Sequence, residues 1–382
     1  MKKVLHALLA ALLLAAAAAG ARPITPASDS EVIETLPLAG AQRSQLQRLR
    51  HAVAARPGDA ALATQLARKL LEQARRDGEP RFAGQALAVL QRWANDPRDD
   101  GGSELQLVLA DTEQHLHDFE RATHRVQSLL QRDAGSPQGW LMLATLQRVQ
   151  GRYAASDQAC RMLARLGAAL HANACLAENA ALRGEAEGAR RMLQQLLAAN
   201  GDAATRAWLS TTLAELELRA GRPAAAESAF RASLAAQPDA YAAIALADLL
   251  IAQHRPQAVG PLLASLPRSD SVLLRLAVAA RDARSTQADA LLHELRERLA
   301  ELAQRGGASS PHAREQAMFA LYADGDAARA LQFARINVRA QREPIDVLLL
   351  TAAARASGQS ETHNEGRALA REIGLHDQRL AS

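Results

Sequence analysis

Apolar residues recur with a helical period from Ala41 almost to the end of the chain, and short turns interrupt them. Residues 22–40 lack this period and hold three Pro among Ser, Thr and acidic residues, which predicts an extended leader. The periodic part predicts a lone helix followed by antiparallel helix pairs. The expected ranges are 41–55, then 59–76 with 81–94, 103–116 with 118–133, 137–150 with 152–166, 170–183 with 186–199, 204–220 with 223–236, 239–253 with 256–266, 270–282 with 286–305, 311–323 with 326–341, and 344–356 with 361–373.

The turns inside these pairs recur at a nearly fixed interval. Successive turns from His117 to His254 lie 34, 33, 37 and 33 residues apart, and the last two lie 33 apart. The 71-residue gap before Gly325 has the length of two repeats. The equivalent turn positions are His117, Gly151, Gly184, Gly221, His254, Gly325 and Gly358. A fixed period of this length is typical of a helical repeat protein.

Short motifs follow the same period. The fullest are Trp140-x2-Leu143-Ala144 with Gly151-x-Tyr153, and Gly221-x-Pro223-x2-Ala226-x3-Phe230 ending in Pro238. Leu-small pairs recur at Leu109-Ala110, Leu176-Ala177, Leu213-Ala214 and Leu246-Ala247. Over about residues 41–375 the chain resembles the tetratricopeptide repeat superfamily. The resemblance implies an all-α, right-handed solenoid of stacked antiparallel helix pairs with about eight to nine repeats. A sel-like or other α-solenoid, or an irregular helical bundle, is the alternative.

Composition agrees with an all-α chain and argues against nucleic-acid binding. Only 3% of the 382 residues are aromatic, and the formal net charge is +4. Removal of Lys2 and Lys3 would leave about +2, and Lys69 is the only other Lys. Since the sequence has no Lys/Arg run and few aromatics for base stacking, we expect no nucleic-acid partner.

The N-terminus predicts a secretory signal peptide over residues 1–21. Lys2 and Lys3 precede an apolar run from Val4 to Ala18, and small residues allow cleavage after Ala19 or Ala21. An uncleaved membrane anchor is the alternative, but a spanning helix needs about 20 apolar residues. We therefore expect a periplasmic or secreted protein without membrane insertion after cleavage. The domains would be 1–21 signal, 22–40 leader, 41–375 repeat array and 376–382 tail.

Two cysteines, Cys160 and Cys175, fall on the second helix of one pair and the first helix of the next. These helices are antiparallel neighbours in the predicted array, and an exported protein would meet oxidising conditions. A disulfide between them would stabilise the fold by about 3 kcal/mol in the chain-entropy description. Two small buried apolar side chains without a bridge are the alternative.

No motif identifies catalytic chemistry, a cofactor or a metal. His293-Glu294 begins like a zinc-protease helix, but Glu297 stands where the second His is required. The sequence has no Gly-rich phosphate loop and no nucleophile elbow. The densest His cluster is His115, His117, Asp118 and His124. Residues two apart on a helix point away from each other, so we expect polar exposure there rather than metal ligation.

The resemblance places a ligand groove on the first helices of the pairs. Its ninth repeat position carries Asp111, Thr145, Glu178, Glu215 and Asp248, and the aromatic residues nearby are Trp208, Tyr241, Phe319 and Tyr322. The hypothesis is an acidic stripe with a few aromatics that binds an extended basic or amphipathic peptide. Alternatively, these acids solvate a helix face or pair with Arg of adjacent repeats.

The function predicted from these features is that of a non-enzymatic scaffold in the periplasm or cell envelope that binds a protein or peptide of unidentified sequence. One alternative is an accessory or regulatory subunit of an envelope enzyme or transporter, with weak metal binding through the His cluster. Another is end-to-end assembly of the array with copies of itself.

Overall fold

The computed structural model describes residues 40–95, 101–304, 313–358 and 364–380. The predicted signal peptide and leader, up to residue 39, lie outside the described residues. The chain divides into two units, Met1–Arg48 and Leu49–Ser382, and the helix pairs all belong to the second. Within the described ranges all regular secondary structure is helical, and every helix is too short or too polar to cross a bilayer.

The helices are numbered in chain order. They are α1 Gly40–Ala55, α2 Ala60–Asp77, α3 Arg81–Ala94, α4 Gly102–His115, α5 Phe119–Arg132, α6 Pro137–Val149, α7 Tyr153–Arg165, α8 Ala169–Leu182, α9 Ala186–Ala199, α10 Ala203–Arg219, α11 Pro223–Ala236, α12 Ala240–Ala252, α13 Val259–Leu263, α14 Asp270–Asp282, α15 Ala288–Gln304, α16 Ala313–Phe319, α17 Ala327–Ala340, α18 Pro344–Ala356 and α19 Glu365–Ile373.

After α1, these helices form nine antiparallel pairs, from α2 with α3 to α18 with α19. We call the even-numbered members α2 to α18 the A helices and their odd-numbered partners the B helices. Consecutive pairs stack on one another along the chain. The predicted all-α solenoid of stacked antiparallel helix pairs is thereby confirmed.

The sixth pair departs from the prediction, which extended its B helix over 256–266. A 3₁₀ turn occupies Pro256–Ala258, and α13 covers only five residues. Pro removes a backbone donor and Gly weakens a helix, so Gly260 and Pro261 inside this segment account for the short helix. The eighth A helix ends differently, in a π turn over Ala320–Asp324.

The A–B turns share one backbone geometry. At Gly151, φ is +74°, its N–H donates to the Arg148 carbonyl over 2.9 Å, and the Arg152 N–H donates to the Gln147 carbonyl over 2.8 Å. This is a Schellman motif, which requires a left-handed residue after the helix. All seven turn positions predicted from the sequence have positive φ. Arg284, with φ of +54°, supplies the turn inside the 71-residue gap.

Small residues allow the stacked helices to approach closely. The Ala of each Leu-small pair lies on an A helix and is at most 5% exposed. These residues are Ala110, Ala144, Ala177, Ala214 and Ala247. Large side chains such as Phe230 fill the space between A and B helices. Each pair therefore completes its core only when its neighbours are present.

The stack of the second unit curls until its beginning meets its middle. Helix α2 contacts α12, and a Cβ added at Gly78, just after α2, would lie 3.3 Å from the Ser269 hydroxyl. The A helices of the first six pairs thus enclose the inside of one superhelical turn. We call the surface that these helices and the later A helices α14, α16 and α18 present on that side of the stack the inner face.

The C-terminal part of the chain covers the A–B turns of several earlier pairs. The Arg342 N–H donates to the Val149 carbonyl over 2.7 Å, and the His376 N–H donates to the Leu182 carbonyl over 2.8 Å. Both carbonyls lie in the last turn of an A helix, where no partner within the helix remains. The later chain therefore satisfies helix ends that would otherwise need water.

The predicted tail, residues 376–382, takes part in this contact. Leu380 is buried and packs in one cluster with Tyr153 and with Leu375, the last residue of the predicted array. Ile373 lies against the turn glycine of the third pair, because a Cβ added at Gly151 would be 3.0 Å from its nearest methyl carbon. At least through Leu380, the chain is part of the folded array.

The contact with Ile373 should make Gly151 less tolerant of Ala than a matched turn glycine. Gly151 and Gly325 have φ of +74° and +70°, so Ala strains both by about 1–2 kcal/mol, but nothing lies within 4 Å of an added Cβ at Gly325. We expect Gly151→Ala to lower the free energy of unfolding, measured by urea denaturation, by about 1 kcal/mol more than Gly325→Ala.

A double-mutant cycle isolates the cause of this difference. Adding Ile373→Ala to Gly151→Ala should remove the extra loss, because the smaller side chain leaves room for the new methyl group. Equal losses at Gly151 and Gly325, or no coupling to position 373, would show that the C-terminal segment does not pack on this turn.

Candidate functional site

The predicted groove acids lie on successive A helices, and each contacts a neighbouring A helix. The Arg75 guanidinium on α2 donates to the Asp111 carboxylate on α4 over 3.0 Å. In the same way, Arg148 on α6 lies 3.0 Å from the Glu178 carboxylate on α8. Both arginines come from the preceding pair, so these bonds tie consecutive repeats together.

The next two acids bond in the opposite direction along the stack. Arg275 on α14 donates through Nε and Nη2 to the two Asp248 oxygens, both over 2.8 Å. Glu215 on α10 instead accepts a hydrogen bond from the Tyr241 hydroxyl on α12. Three of the four acids are thus paired with Arg, as the alternative interpretation of the sequence allowed, and Glu215 alone bonds to a neutral group.

The different surroundings of Asp111 and Glu215 shift their pKa values in opposite directions. Burial by itself would raise the pKa of Asp111, but the hydrogen bond from His115 and the charges of His115 and Arg75 outweigh it, so that pKa is lowered. Burial raises the pKa of Glu215 and outweighs the positive charge of Arg219, and the nearby Glu178 charge adds to the increase. Thr145, the fifth residue of the predicted row, donates its hydroxyl to the Leu141 carbonyl of its own helix.

Three aromatic side chains are the exposed large hydrophobic groups among the described residues. Trp208 on α10 is 36% exposed, Tyr241 on α12 is 56% exposed, and Tyr322 in the turn that continues α16 is 38% exposed. We call these three the aromatic surface. Trp208 also stacks on His171 of the preceding A helix, with ring centroids 5.5 Å apart.

Phe319 does not belong to this surface, although the sequence placed it in the groove. Its side chain is only 2% exposed and packs in the core with Leu331 and Leu350. The exposed ring of this segment is instead that of Tyr322, three residues later. Phe319 therefore stabilises the eighth and ninth pairs and offers no surface to a partner.

The aromatic surface is continuous with the row of acids. Trp208 and Glu215 are seven residues apart on α10, and Tyr241 and Asp248 are seven apart on α12, so each pair shares one helix face. Tyr322 lies close enough for the Asp248 charge to help raise its pKa, after burial. The three rings thus follow one another along the inner face.

A polar cluster that the sequence analysis missed lies opposite Tyr241. Arg314 donates to both Asp346 oxygens over 2.7 and 3.0 Å and to Glu343 over 2.6 Å, and Asn337 donates to Asp346 over 2.6 Å. The charges of Glu343 and Arg314 both act on the Tyr241 hydroxyl. One sequence signal was available, because Glu343 and Asp346 flank Pro344 at the spacing of a capping box.

The candidate His cluster does not converge. The His115 ring bonds the Asp111 carbonyl over 2.8 Å, and the His117 ring bonds the Gln341 side chain over 3.0 Å. His124 is exposed on a B helix. Within the described ranges no three His, Cys, Asp or Glu side chains come together in a metal-binding arrangement.

Cys160 and Cys175 form a disulfide with Cα atoms 5.9 Å apart. The bridge joins α7, the B helix of the third pair, to α8, the A helix of the fourth, and both residues are buried. The Asn179 amide beside it donates to the Ser156 hydroxyl over 2.9 Å. A covalent bond and a buried hydrogen bond therefore hold the same two helices.

No family model and no curated protein sequence matches the chain. Solved structures with a similar course of the chain include a Rap protein complexed with competence and sporulation factor, with a TM-score of 0.49 and 12% identity, covering 89% of this chain and 92% of that one. For the human IFIT1 dimer with PPP-AAAA the TM-score is 0.48 and the identity 11%, and the aligned region covers 87% of this chain and 78% of that one. For the APC/C hetero-tetramer Cut9-Hcn1 the TM-score is 0.41 and the identity 12%. The aligned region covers 86% of this chain, but this chain spans only 52% of the length of that one.

The disulfide should contribute measurably to stability. The bridge spans 15 residues, so replacing both Cys160 and Cys175 by Ala should lower the free energy of unfolding by about 3 kcal/mol. Intact-mass analysis after alkylation in denaturant should show no added alkyl group without reductant and two after reduction. Two alkyl groups on the unreduced protein would exclude the bridge.

All three tyrosines of the chain should titrate late in the native protein. Burial raises the pKa of Tyr153 to about 12, the Glu215 charge raises that of Tyr241, and burial raises that of Tyr322. The unfolded chain releases its tyrosine protons near its pKa of about 10, whereas the folded protein retains them to higher pH. The stability of the fold is therefore unaffected by these groups below about pH 10 and decreases as the pH rises above that value.

Ultraviolet titration of phenolate absorbance tests this directly. The native protein should ionise its tyrosines well above the midpoint measured in denaturant. Tyr241→Phe should remove one of the late transitions, and Glu215→Gln should move the Tyr241 transition to lower pH. Native midpoints equal to that of the denatured chain would contradict the described surroundings of all three rings.

Proposed function

We propose that this protein is a non-enzymatic scaffold that binds another protein or a peptide on the inner face of its helical array. The observation that carries the proposal is the aromatic surface of Trp208, Tyr241 and Tyr322. All three rings belong to A-helix segments, and Trp208 and Tyr241 share helix faces with Glu215 and Asp248 of the predicted groove. Exposed aromatic side chains of this kind supply much of the binding energy at protein interfaces.

The arginine pairs narrow the type of partner. Since Arg neutralises Asp111, Glu178 and Asp248, the inner face does not present a row of free negative charges. Affinity would then come from apolar contact with the aromatic surface and from hydrogen bonds to the paired polar groups between the rings. An extended amphipathic segment suits this surface better than a merely basic one.

We further propose that the protein works in the periplasm or cell envelope. The support comes from the charged and apolar residues of the predicted signal peptide and from the disulfide between Cys160 and Cys175, which persists in oxidising compartments. A mature N-terminus that begins after Ala19 or Ala21 on protein isolated from the envelope fraction would support the location.

Substitution of the aromatic surface tests the binding proposal. The variant Trp208→Ala/Tyr241→Ala/Tyr322→Ala should weaken binding of a partner captured from the envelope fraction by at least about tenfold, because each ring loses its contact area. The measurement is the dissociation constant of the purified partner for wild type and variant. Unchanged thermal midpoints would show that the variant folds.

A matched control places three substitutions on the outer helices. Gln127, Arg161 and Gln194 are exposed on α5, α7 and α9, all B helices. Replacing these three by Ala should leave the dissociation constant unchanged. Full binding by the aromatic variant, or loss of binding by the B-helix variant, would contradict a site on the inner face.

A further inference from the structure

Two arginines are buried among the described residues, and their surroundings differ. Arg219 and Arg275 are each 6% exposed, and both lie on A helices. Arg275 donates to both oxygens of Asp248 and to the Ser271 carbonyl. The Nε and Nη2 atoms of Arg219 are buried and have no acceptor among the described residues. A buried guanidinium without an acceptor is costly, so it calls for a physical explanation.

The unpartnered edge of Arg219, formed by Nε and Nη2, is the edge with which other arginines of this protein bind carboxylates. Parallel Nε–H and Nη2–H groups match the two oxygens of a carboxylate. At least four arginines of the described residues use this edge with distances of 2.6 to 3.0 Å to both oxygens. These pairs are Arg125 with Glu113, Arg275 with Asp248, Arg314 with Asp346, and Arg379 with Asp377.

A second unpartnered donor lies within reach of the Arg219 charge. The Tyr153 hydroxyl is buried and has no hydrogen-bond partner among the described residues, and its side chain is 3% exposed. The positive charges of Arg219, Arg148 and Arg183 act on this hydroxyl, against one negative charge from Glu343. Positive charges therefore outnumber negative charges around the Tyr153 hydroxyl.

The position of Arg219 connects this donor edge to the inner face. Glu215 precedes Arg219 by one helical turn on α10 and hydrogen-bonds to Tyr241 of the aromatic surface. Gly221, two residues after Arg219, lies under Gln378 of the covering C-terminal segment. The donor edge of Arg219 therefore lies about one helical turn from the aromatic surface, at the end of α10.

We propose that Arg219, with the Tyr153 hydroxyl, forms a carboxylate-binding subsite at the end of the inner face, and that it anchors one carboxylate of the bound peptide. The identity of the ligand rests on the proposed function, but the chemistry of the subsite does not. The carboxylate comes either from the peptide C-terminus or from an Asp or Glu side chain, and both present the same two oxygens.

Stability of the unliganded protein separates a ligand site from a structural role. Arg219→Met removes two buried donors without an acceptor and leaves Glu215, on which the Arg219 charge acts, with its hydrogen bond from Tyr241, so the thermal midpoint should equal or exceed that of wild type. Arg275→Met, the control with the same exposure, leaves Asp248 unpaired and should lower the midpoint by several degrees. A loss at Arg219→Met as large as that at Arg275→Met would overturn the proposal.

Binding is tested with three small probes on the full protein. Acetyl-Ala-Ala carries a free C-terminal carboxylate, acetyl-Asp-amide carries only a side-chain carboxylate, and acetyl-Ala-Ala-amide carries neither. The readout is the NMR signal of the Arg219 Nε–H, assigned by its absence in Arg219→Met. We expect a saturable shift with at least one carboxylate probe, and Tyr153→Phe should weaken that binding about tenfold.

The pattern of responses distinguishes the sources of the carboxylate. Tighter binding of acetyl-Ala-Ala supports recognition of a peptide C-terminus, and tighter binding of acetyl-Asp-amide supports recognition of an acidic side chain. No saturable shift with either, or an equal shift with the amide, would overturn the proposal and indicate that a buried water alone satisfies Arg219. These probes are too small to depend on the aromatic surface. A negative result would therefore overturn the carboxylate subsite without contradicting peptide binding on the inner face.

Discussion

Packing of each helix pair against its neighbours is the constraint on which this structure depends. A single pair cannot bury its apolar face, so the Ala residues at the crossings, such as Ala144 and Ala214, become buried only within the stack. The left-handed turn after each A helix sets the angle at which the chain returns. Repetition of this geometry curls the stack and turns the remaining face of the A helices inward.

The inner face follows from what stacking leaves over. Its acids are held by partners on an adjacent A helix, Arg for Asp111, Glu178 and Asp248, and Tyr241 for Glu215. These bonds act between repeats, so the same residues that predict a ligand groove also help to hold the array in register. What remains accessible is aromatic, and one buried guanidinium keeps an unused donor edge.

The repeat was predictable because its signals are local. The seven predicted turn positions from His117 to Gly358 all adopt the left-handed conformation. Gly at five of them and the regular spacing of all of them indicate this conformation. The turn at Arg284 was not located, because it lies 30 residues after His254 and 41 before Gly325, away from the repeat spacing, and no Gly marks it. The position of Cys175 opposite Cys160 was also predictable, because adjacent helices in a repeat array have known neighbours.

The charge of the groove could not be predicted in the same way. Whether Asp248 is free depends on Arg275, which lies one repeat later, and the return of residues 341–380 onto earlier turns involves contacts more than 150 residues apart in sequence. Phe319 and Tyr322 illustrate the limit, since three residues of helix decide which ring is buried. Long-range contacts of this kind have no local sequence signal.

Cross-linking from the centre of the aromatic surface is the most direct test of binding on the inner face. The photoreactive residue benzoylphenylalanine would replace Tyr241 in one protein and the exposed Gln127 of α5 in another. In the presence of the captured partner, we expect a cross-link from position 241 and none from position 127. A cross-link from position 127 alone would show that the partner binds the outer helices and would contradict an inner-face scaffold.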